Sequence, residues 1–311
     1  MTIDFSIQIT LSPFLMPTLW NRRAALKGLL ASTAAVGAAG VASACAPNEQ
    51  QTSATMPLKN NIRQSVCRWC FNDLSVEQLC KEAKAMGIQG IDLVGPQDWP
   101  TLKKYGLDSP MCNGAEISLT EGFNDPQYHA RLHKQYSEMI PKVAAAGYTN
   151  LICFSGSRRG QSDEVGLANC VKGMQPLMAL AEKHKVVLVM ELLNSKIDHK
   201  DYQCDHTAWG AALAKKLGSE HFKLLYDIYH MQINEGDVIR TINEYHPYIA
   251  HYHTAGVPGR HELDEQQELY YPAIMRAILA TGFKGYVAQE FIPQKADKLA
   301  SLRQAVQLCD V

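Results

Sequence analysis

Val186-Val187-Leu188-Val189-Met190-Glu191, Phe222-Lys223-Leu224-Leu225-Tyr226-Asp227, Tyr248-Ile249-Ala250-His251-Tyr252-His253 and Tyr286-Val287-Ala288-Gln289-Glu290 share one pattern. Each is a short, largely apolar run of strand length that ends in an acid or an imidazole, with turn or polar residues and then a helix-like segment after it. In a closed parallel α/β barrel the C-terminal ends of all strands meet at one face. Four such endings therefore converge there although the chain scatters them.

Four further strand-like segments precede these. Ile62–Cys67 and Ile88–Val94 are the first two, Pro110–Ile117 is the third, interrupted by Asn113-Gly114, and Thr149–Phe154 is the fourth. The segments between them carry helix signals. Ser75 is placed as an N-cap ahead of Val76–Met86, and Gly87 stops that helix. Asp125-Pro126 opens an amphipathic helix that runs to Ala146, with Pro141 expected to kink or break it. Helices are also expected at Trp99–Tyr105, Asp163–His184, His206–Leu217, Gly236–Tyr245, Pro272–Ala280 and Lys295–Leu308. Eight strand–helix alternations fit a (β/α)₈ barrel or a doubly wound open sheet. An open sheet gathers its site from two or three strands at a switch point. Four successive strands with functional endings require closure, so a single (β/α)₈ TIM barrel over residues 58–311 is the expected fold, close to the ~250 residues usual for one.

The chain has 311 residues and a formal net charge of −1, so no basic surface for nucleic acid is indicated. Residues 1–45 read as an export signal. Arg22-Arg23 precede an uncharged Ala/Gly-rich run from Gly28 to Ala44 that is too short and too weakly apolar for a membrane span. The paired arginines resemble the twin-arginine signal of a route that exports folded proteins. Val41-Ala42-Ser43-Ala44-Cys45 resembles a lipoprotein cleavage box, making Cys45 a lipid acceptor and the protein periplasmic, anchored to the membrane through that residue. Residues 46–57, rich in Gln, Ser, Thr and Asn, form a linker. Of the nine cysteines, the eight beyond Cys45 are expected to be small core residues. Cys67-Arg68-Trp69-Cys70 has no second C-x-x-C to complete a structural zinc site.

Two glutamates, an aspartate and a histidine in one apolar rim need a counter-charge, because an unpaired buried carboxylate costs several kcal/mol. A divalent cation supplies it. Three carboxylates and one imidazole suit Mn²⁺ or Mg²⁺, with Co²⁺ or Zn²⁺ also able to bind. Taken one at a time, Glu191 could instead be a surface ion-pair partner, Asp227 a helix cap and His253 an ordinary satisfied polar residue.

Beyond these residues, Glu191-Leu192-Leu193-Asn194, Tyr226-Asp227-Ile228-Tyr229-His230-Met231-Gln232, Val257-Pro258-Gly259-Arg260-His261-Glu262, Tyr271-Pro272 and Gln289-Glu290-Phe291 resemble the hydroxypyruvate isomerase family within the xylose-isomerase-like barrels, relatives of the ketose 3-epimerases. The resemblance covers the chain from about Asn61 onward. It implies a metal held by Glu191, Asp227, His253 and Glu290, with Glu191 and Glu290 as the catalytic residues. These move a proton on and off the carbon next to a substrate carbonyl, through an enediolate. At the position of His253, hydroxypyruvate isomerases carry Gln and ketose epimerases carry His.

His230, three residues past Asp227, resembles an epimerase contact to a substrate oxygen. Arg260 is a candidate to hold a substrate carboxylate or hydroxyl. His251 shares a strand face with His253 and could support it from one layer below. Trp69, Tyr229 and Phe291 could wall the pocket, whereas Asn194, Lys196, His261 and Glu262 are too weakly marked to assign. The expected partner is a small sugar or hydroxy-keto acid, not nucleic acid, with oligomerisation left open. The rival readings are a metal-dependent lyase or hydrolase of oxidised (3-keto) sugars, a non-catalytic sugar-binding lipoprotein, and a phosphodiester-cleaving endonuclease of the same barrel class. The last would need more strand-end histidines and a basic groove.

Overall fold

The computed structural model describes residues 57–311. The expected export signal over 1–45, with Cys45, and all but the last residue of the 46–57 linker lie outside the described residues. Along the described chain the elements are β1 (Arg63–Cys67), α1 (Val76–Ala85), β2 (Gly90–Asp92), α2 (Trp99–Tyr105), α3 (Pro126–Ala145), β3 (Asn150–Cys153), α4 (Asp163–His184) and β4 (Val187–Glu191). There follow α5 (Thr207–Leu217), β5 (Phe222–Asp227), α6 (Ile228–Asn234), α7 (Val238–Tyr245), β6 (Ile249–Thr254), α8 (Tyr271–Ala280), β7 (Tyr286–Gln289) and α9 (Lys298–Cys309).

The seven strands form one parallel sheet in the order β2-β1-β7-β6-β5-β4-β3. The eighth stave is irregular. Residues 108–113 bridge the two edge strands through parallel pairs Gly90–Asp108, Val94–Cys112 and Cys112–Leu151. Ile91 N donates to Asp108 O (3.0 Å) on one side, and Cys112 N to Asn150 O (3.0 Å) on the other. The third strand expected at Pro110–Ile117 is thus corrected. Pairing starts earlier, at Asp108, and stops at Asn113, because Pro110 brings no N–H and Gly114 (φ 108°) turns the chain away. The barrel nevertheless closes, as the strand endings require.

Local chemistry accounts for most helix boundaries. Ser75 Oγ accepts from Gln78 N while the Gln78 side chain accepts from Ser75 N, a reciprocal capping box. Asp125 caps α3 with Pro126 at its first position. Pro141 lies inside α3, which continues past it as one helix, so it is no break. The sequence reading lacked α6. It begins directly at the end of β5 with no intervening turn residue, and Asp227 is its N-cap.

The core is one cluster of Val, Ile, Leu, Met, Cys and aromatic side chains from strands and inner helix faces. All eight cysteines among the described residues are free and buried, as expected of core thiols. No helix among the described residues is long and apolar enough to cross a membrane.

Candidate active site and metal centre

Glu191 and Asp227 are the last residues of β4 and β5, His253 is the penultimate residue of β6, and Glu290 follows β7 directly. Barrel closure brings them together. One ligand atom from each can be chosen so that all four lie within 4.8 Å of one another. None of the four is more than 4% exposed. His253 Nδ1 lies 2.8 Å from Glu290 Oε2 and 3.4 Å from Glu191 Oε1. The surface ion pair considered for Glu191 is ruled out by burial. Asp227 serves two purposes. Its Oδ1 accepts from Tyr229 N (2.9 Å) and His230 N (3.3 Å) as the cap of α6, and its Oδ2 faces the cluster.

Arg260 enters the same cluster. Its Nη2 donates to Glu290 Oε2 (2.6 Å) and lies 3.5 Å from Asp227 Oδ2. The guanidinium carbon lies 5.1 and 5.5 Å from the ring centroids of Trp69 and Tyr229, in cation–π contact. Trp69 Nε1 donates to Glu290 Oε1 (2.8 Å). Trp69 and Tyr229 therefore flank the site, whereas Phe291 is fully buried and packs edge-on against Phe71, away from that role.

Below the cluster, His253 Nε2 points to Asp92 Oδ2 (3.5 Å), and His251 Nε2 donates to that same oxygen at 2.5 Å. His251 thus supports His253 through Asp92, the residue that ends β2. Asp92 and the nearby Cys67 Sγ, 3.7 Å from His253 Nε2, were missed in sequence reading. A lone acid within a strand pattern carries no signal when its partner is 159 residues away. Of the weakly marked residues, Asn194 contacts His230 (2.6 Å) and belongs to the site. Lys196 Nζ caps the end of α6 at Ile233 O and Asn234 O. Glu262 anchors the segment before α9 by accepting from Gln294 N, Lys295 N and Ser301 Oγ. His261 approaches Ile292 O. The last three stand outside the acidic cluster.

The glycine-rich segment Ser155–Gly160 is a brace. Gly122 packs so closely on it that a Cβ would lie 2.4 Å from Gly156 N. Arg158 pairs with Asp205 (2.8 Å) and Asp163, tying this segment to the loop after β4.

Four titratable groups packed this tightly shift one another. Burial raises Glu191, and it drives Asp227 well above the ordinary carboxylate range even against the pull of Arg260. Burial also works against ionised Glu290, but His253, Arg260 and the Trp69 hydrogen bond outweigh it and hold Glu290 well below its usual value. Burial disfavours charged His253, yet Cys67, Glu290 and Asp92 keep it well above its usual value. Asp92 is held down at about 2, since His251 and His253 overcome the burial that opposes its charge.

The donor set fits a hard divalent cation. Three carboxylates and one imidazole nitrogen converge, and the buried Glu191 Oε1 has no hydrogen-bond partner. His253 would bind through Nδ1, its Nε2–H directed at Asp92, the usual arrangement by which a carboxylate orients a metal-binding histidine.

A closed parallel barrel with this acidic mouth defines a class, and comparison with known proteins assigns the family. The chain belongs to the xylose isomerase-like TIM barrel family, whose profile matches residues 80–309. It is 33% identical over 245 residues, 73% of this chain and 87% of the other, to a Homo sapiens protein provisionally named hydroxypyruvate isomerase. It is 34% identical over 109 residues, 35% of this chain and 41% of the other, to a 2-oxo-tetronate isomerase of Cupriavidus necator. The fold superimposes on a 3-keto-D-glucoside 4-epimerase of Escherichia coli with a TM-score of 0.67 at 18% identity, covering 80% of this chain and 98% of that one. The chain is an enzyme of the isomerase class.

Proposed function

We propose that this enzyme is a metal-dependent isomerase or epimerase of a small sugar or hydroxy-keto acid, similar to hydroxypyruvate isomerase. The observation that carries the reading is the convergence of Glu191, Asp227, His253 and Glu290 within 4.8 Å at the barrel mouth. These four would hold the cation, with Mn²⁺ or Mg²⁺ best matched to the ligands. When bound, the cation supplies Lewis-acid polarisation of a carbonyl and stabilises negative charge as it develops on oxygen.

The rest is done by side chains of the chain itself. Glu290 is biased toward the carboxylate by Arg260, His253 and Trp69, and accepts the proton from the carbon next to the carbonyl. Glu191, the second glutamate of the cluster, whose Oε1 has no hydrogen-bond partner, hands a proton back to the enediolate. Each such positioned acid–base group contributes ~10²–10⁴-fold. Return of the proton to the other carbon gives isomerisation, and return to the other face of the same carbon gives epimerisation. Arg260, in cation–π contact with Trp69 and Tyr229, presents a fork of donors for a substrate carboxylate or hydroxyl. His230 contacts a substrate oxygen.

A panel of hydroxypyruvate, ketohexoses and 3-keto-glycosides incubated with enzyme and Mn²⁺ in D₂O tests this reading. Deuterium enters the carbon next to the carbonyl of at least one substrate. Release of an aglycone from the 3-keto-glycosides would mark the lyase reading instead, and no incorporation across the panel would defeat the proposal.

We also propose that residues 1–45 export the protein to the periplasm and that Cys45 carries a lipid. The twin arginines and the Val41–Cys45 box support this. The full chain should then partition with membranes and a Cys45→Ser form should appear in the soluble periplasmic fraction. Equal membrane partitioning of both forms removes the anchor.

A further inference from the structure

Asn194 lies in the loop after β4, fully buried against His230. All four of its hydrogen-bonding positions are used. Its Oδ1 accepts from Ile197 N and from Asp198 N, each at 3.0 Å. Its Nδ2 donates to Asp198 Oδ2 at 2.6 Å and contacts His230 Nδ1 at 2.6 Å. The two backbone N–H groups decide which end of the amide is which, because only the carbonyl oxygen can accept from them. The NH₂ end must therefore face His230. A ring nitrogen that receives an N–H at that distance has to be an acceptor, since a protonated Nδ1 would set two donors against each other.

We infer that Asn194 is a positioning residue that locks His230 in the neutral tautomer, with Nδ1 bare and the proton on Nε2. The consequence rests on the reading of His230 as a substrate contact. Nε2 lies 3.5 Å from Asp227 Oδ2 and has no hydrogen-bond partner, although the ring is fully buried. It is a pre-aimed donor at the edge of the acidic cluster, able to bond a substrate oxygen and unable to act as a base. A donor fixed before substrate arrives stabilises developing negative charge without reorganisation.

The groups around the ring agree with this assignment. Asp198 Oδ2 stands 3.9 Å from Nδ1, a contact that by itself would favour a proton there. Asn194 and the Tyr229 hydroxyl both donate to that oxygen, the latter at 2.9 Å. The amide lies between Asp198 and the ring and passes on a donor instead of a negative charge. On the other faces stand the rings of His199 and Tyr229, 5.1 and 5.0 Å from His230.

Nitrogen-15 NMR of histidine-labelled full-length enzyme in Mg²⁺ tests the assignment, with the His230 signals identified by their loss in His230→Asn. The wild type should show Nδ1 at the shift of an unprotonated ring nitrogen and Nε2 at that of an N–H. In Asn194→Asp, which keeps the shape but replaces the donor with an acceptor, the proton should move to Nδ1. Combining Asn194→Asp with Asp198→Asn removes the new like-charge contact, so a folded variant with the inverted ring is available even if the single one is unstable. A protonated Nδ1 in the wild type, or a bare Nδ1 in both variants, overturns the proposal. Turnover of the substrate found in the panel should fall about 100-fold in both variants, the loss typical of removing one fixed donor. It should fall less in Asn194→Ala, an order opposite to that of a purely space-filling role. Wild-type turnover in a variant whose Nε2 has lost its proton would leave the tautomer assignment standing and count only against His230 as a substrate contact.

Discussion

Glu191→Gln should cut deuterium exchange into substrate by ~10²–10⁴-fold, the contribution of one positioned acid–base group, while leaving the barrel intact. Glutamine has nearly the same volume, so the packing around residue 191 is preserved and the effect is chemical. The metal-free variant should be no less stable than wild type, because burial disfavours charge on Glu191 and its Oε1 forms no hydrogen bond. Removing an ionisable group from such a site trades activity for stability, a common pattern at active sites. Glu290→Gln should lose exchange to the same extent but should also lower the thermal midpoint. It removes the anion that Arg260 Nη2 contacts at 2.6 Å and leaves a largely buried guanidinium with Asp227 alone, at 3.5 Å. Exchange at wild-type rate in either variant would refute the roles given to the two glutamates, and a stabilised Glu290→Gln would refute the account of Arg260.

Divalent metal should raise the thermal midpoint, and by more at pH 7.5 than at pH 5.5. The sign follows from the titrations. Glu191 and Asp227 have raised pKa values in the folded metal-free protein, so above the ordinary carboxylate range of ~4 the folded state holds protons that the unfolded chain has released. Metal-free stability therefore falls as pH climbs through that window. A bound cation needs these groups deprotonated and His253 Nδ1 free, so its binding releases protons and tightens as pH rises. At a hundredfold excess over the dissociation constant, the gain is about 2.7 kcal/mol, or roughly 5–10 °C for a domain of this size. Removal of metal by a chelator should abolish turnover, with activity restored by Mn²⁺. A midpoint indifferent to Mn²⁺ and Mg²⁺ at both pH values would count against a metal in this cluster.

Much of this site could be read before any coordinates, because each ligand closes an apolar run and strand parity together with closure leaves it few places to point. Glu191, Asp227 and His253 lie within their strands and Glu290 one residue beyond, all facing one axis. The partners of those residues were harder to see. Asp92 meets His251 across 159 residues, and Asn194 meets His230 across 36. Such pairings depend on which loops fold over which strand ends, and no local period encodes that. Asp227 shows a different limit, for cap and cluster member were weighed as alternatives although a carboxylate has two oxygens and can be both. Arg260 reads in the sequence as a candidate to hold a substrate carboxylate or hydroxyl, and its further contacts to Glu290 and Asp227 had no local signal. The eighth stave escaped correct placement because Pro110 and Asn113-Gly114 leave too little alternation to define its ends.

That eighth stave makes the cylinder unequal around its circumference. From β4 round to β7 neighbouring strands pair in continuous ladders, with a register shift at Leu224/Leu225 between β5 and β6, and this arc carries every proposed metal ligand. Between β2 and β3 the wall is completed by residues 108–113, which hydrogen-bond to both neighbours through Asp108, Met111, Cys112 and Asn113 without forming a regular strand. The barrel thus has a seam set apart from its reactive arc.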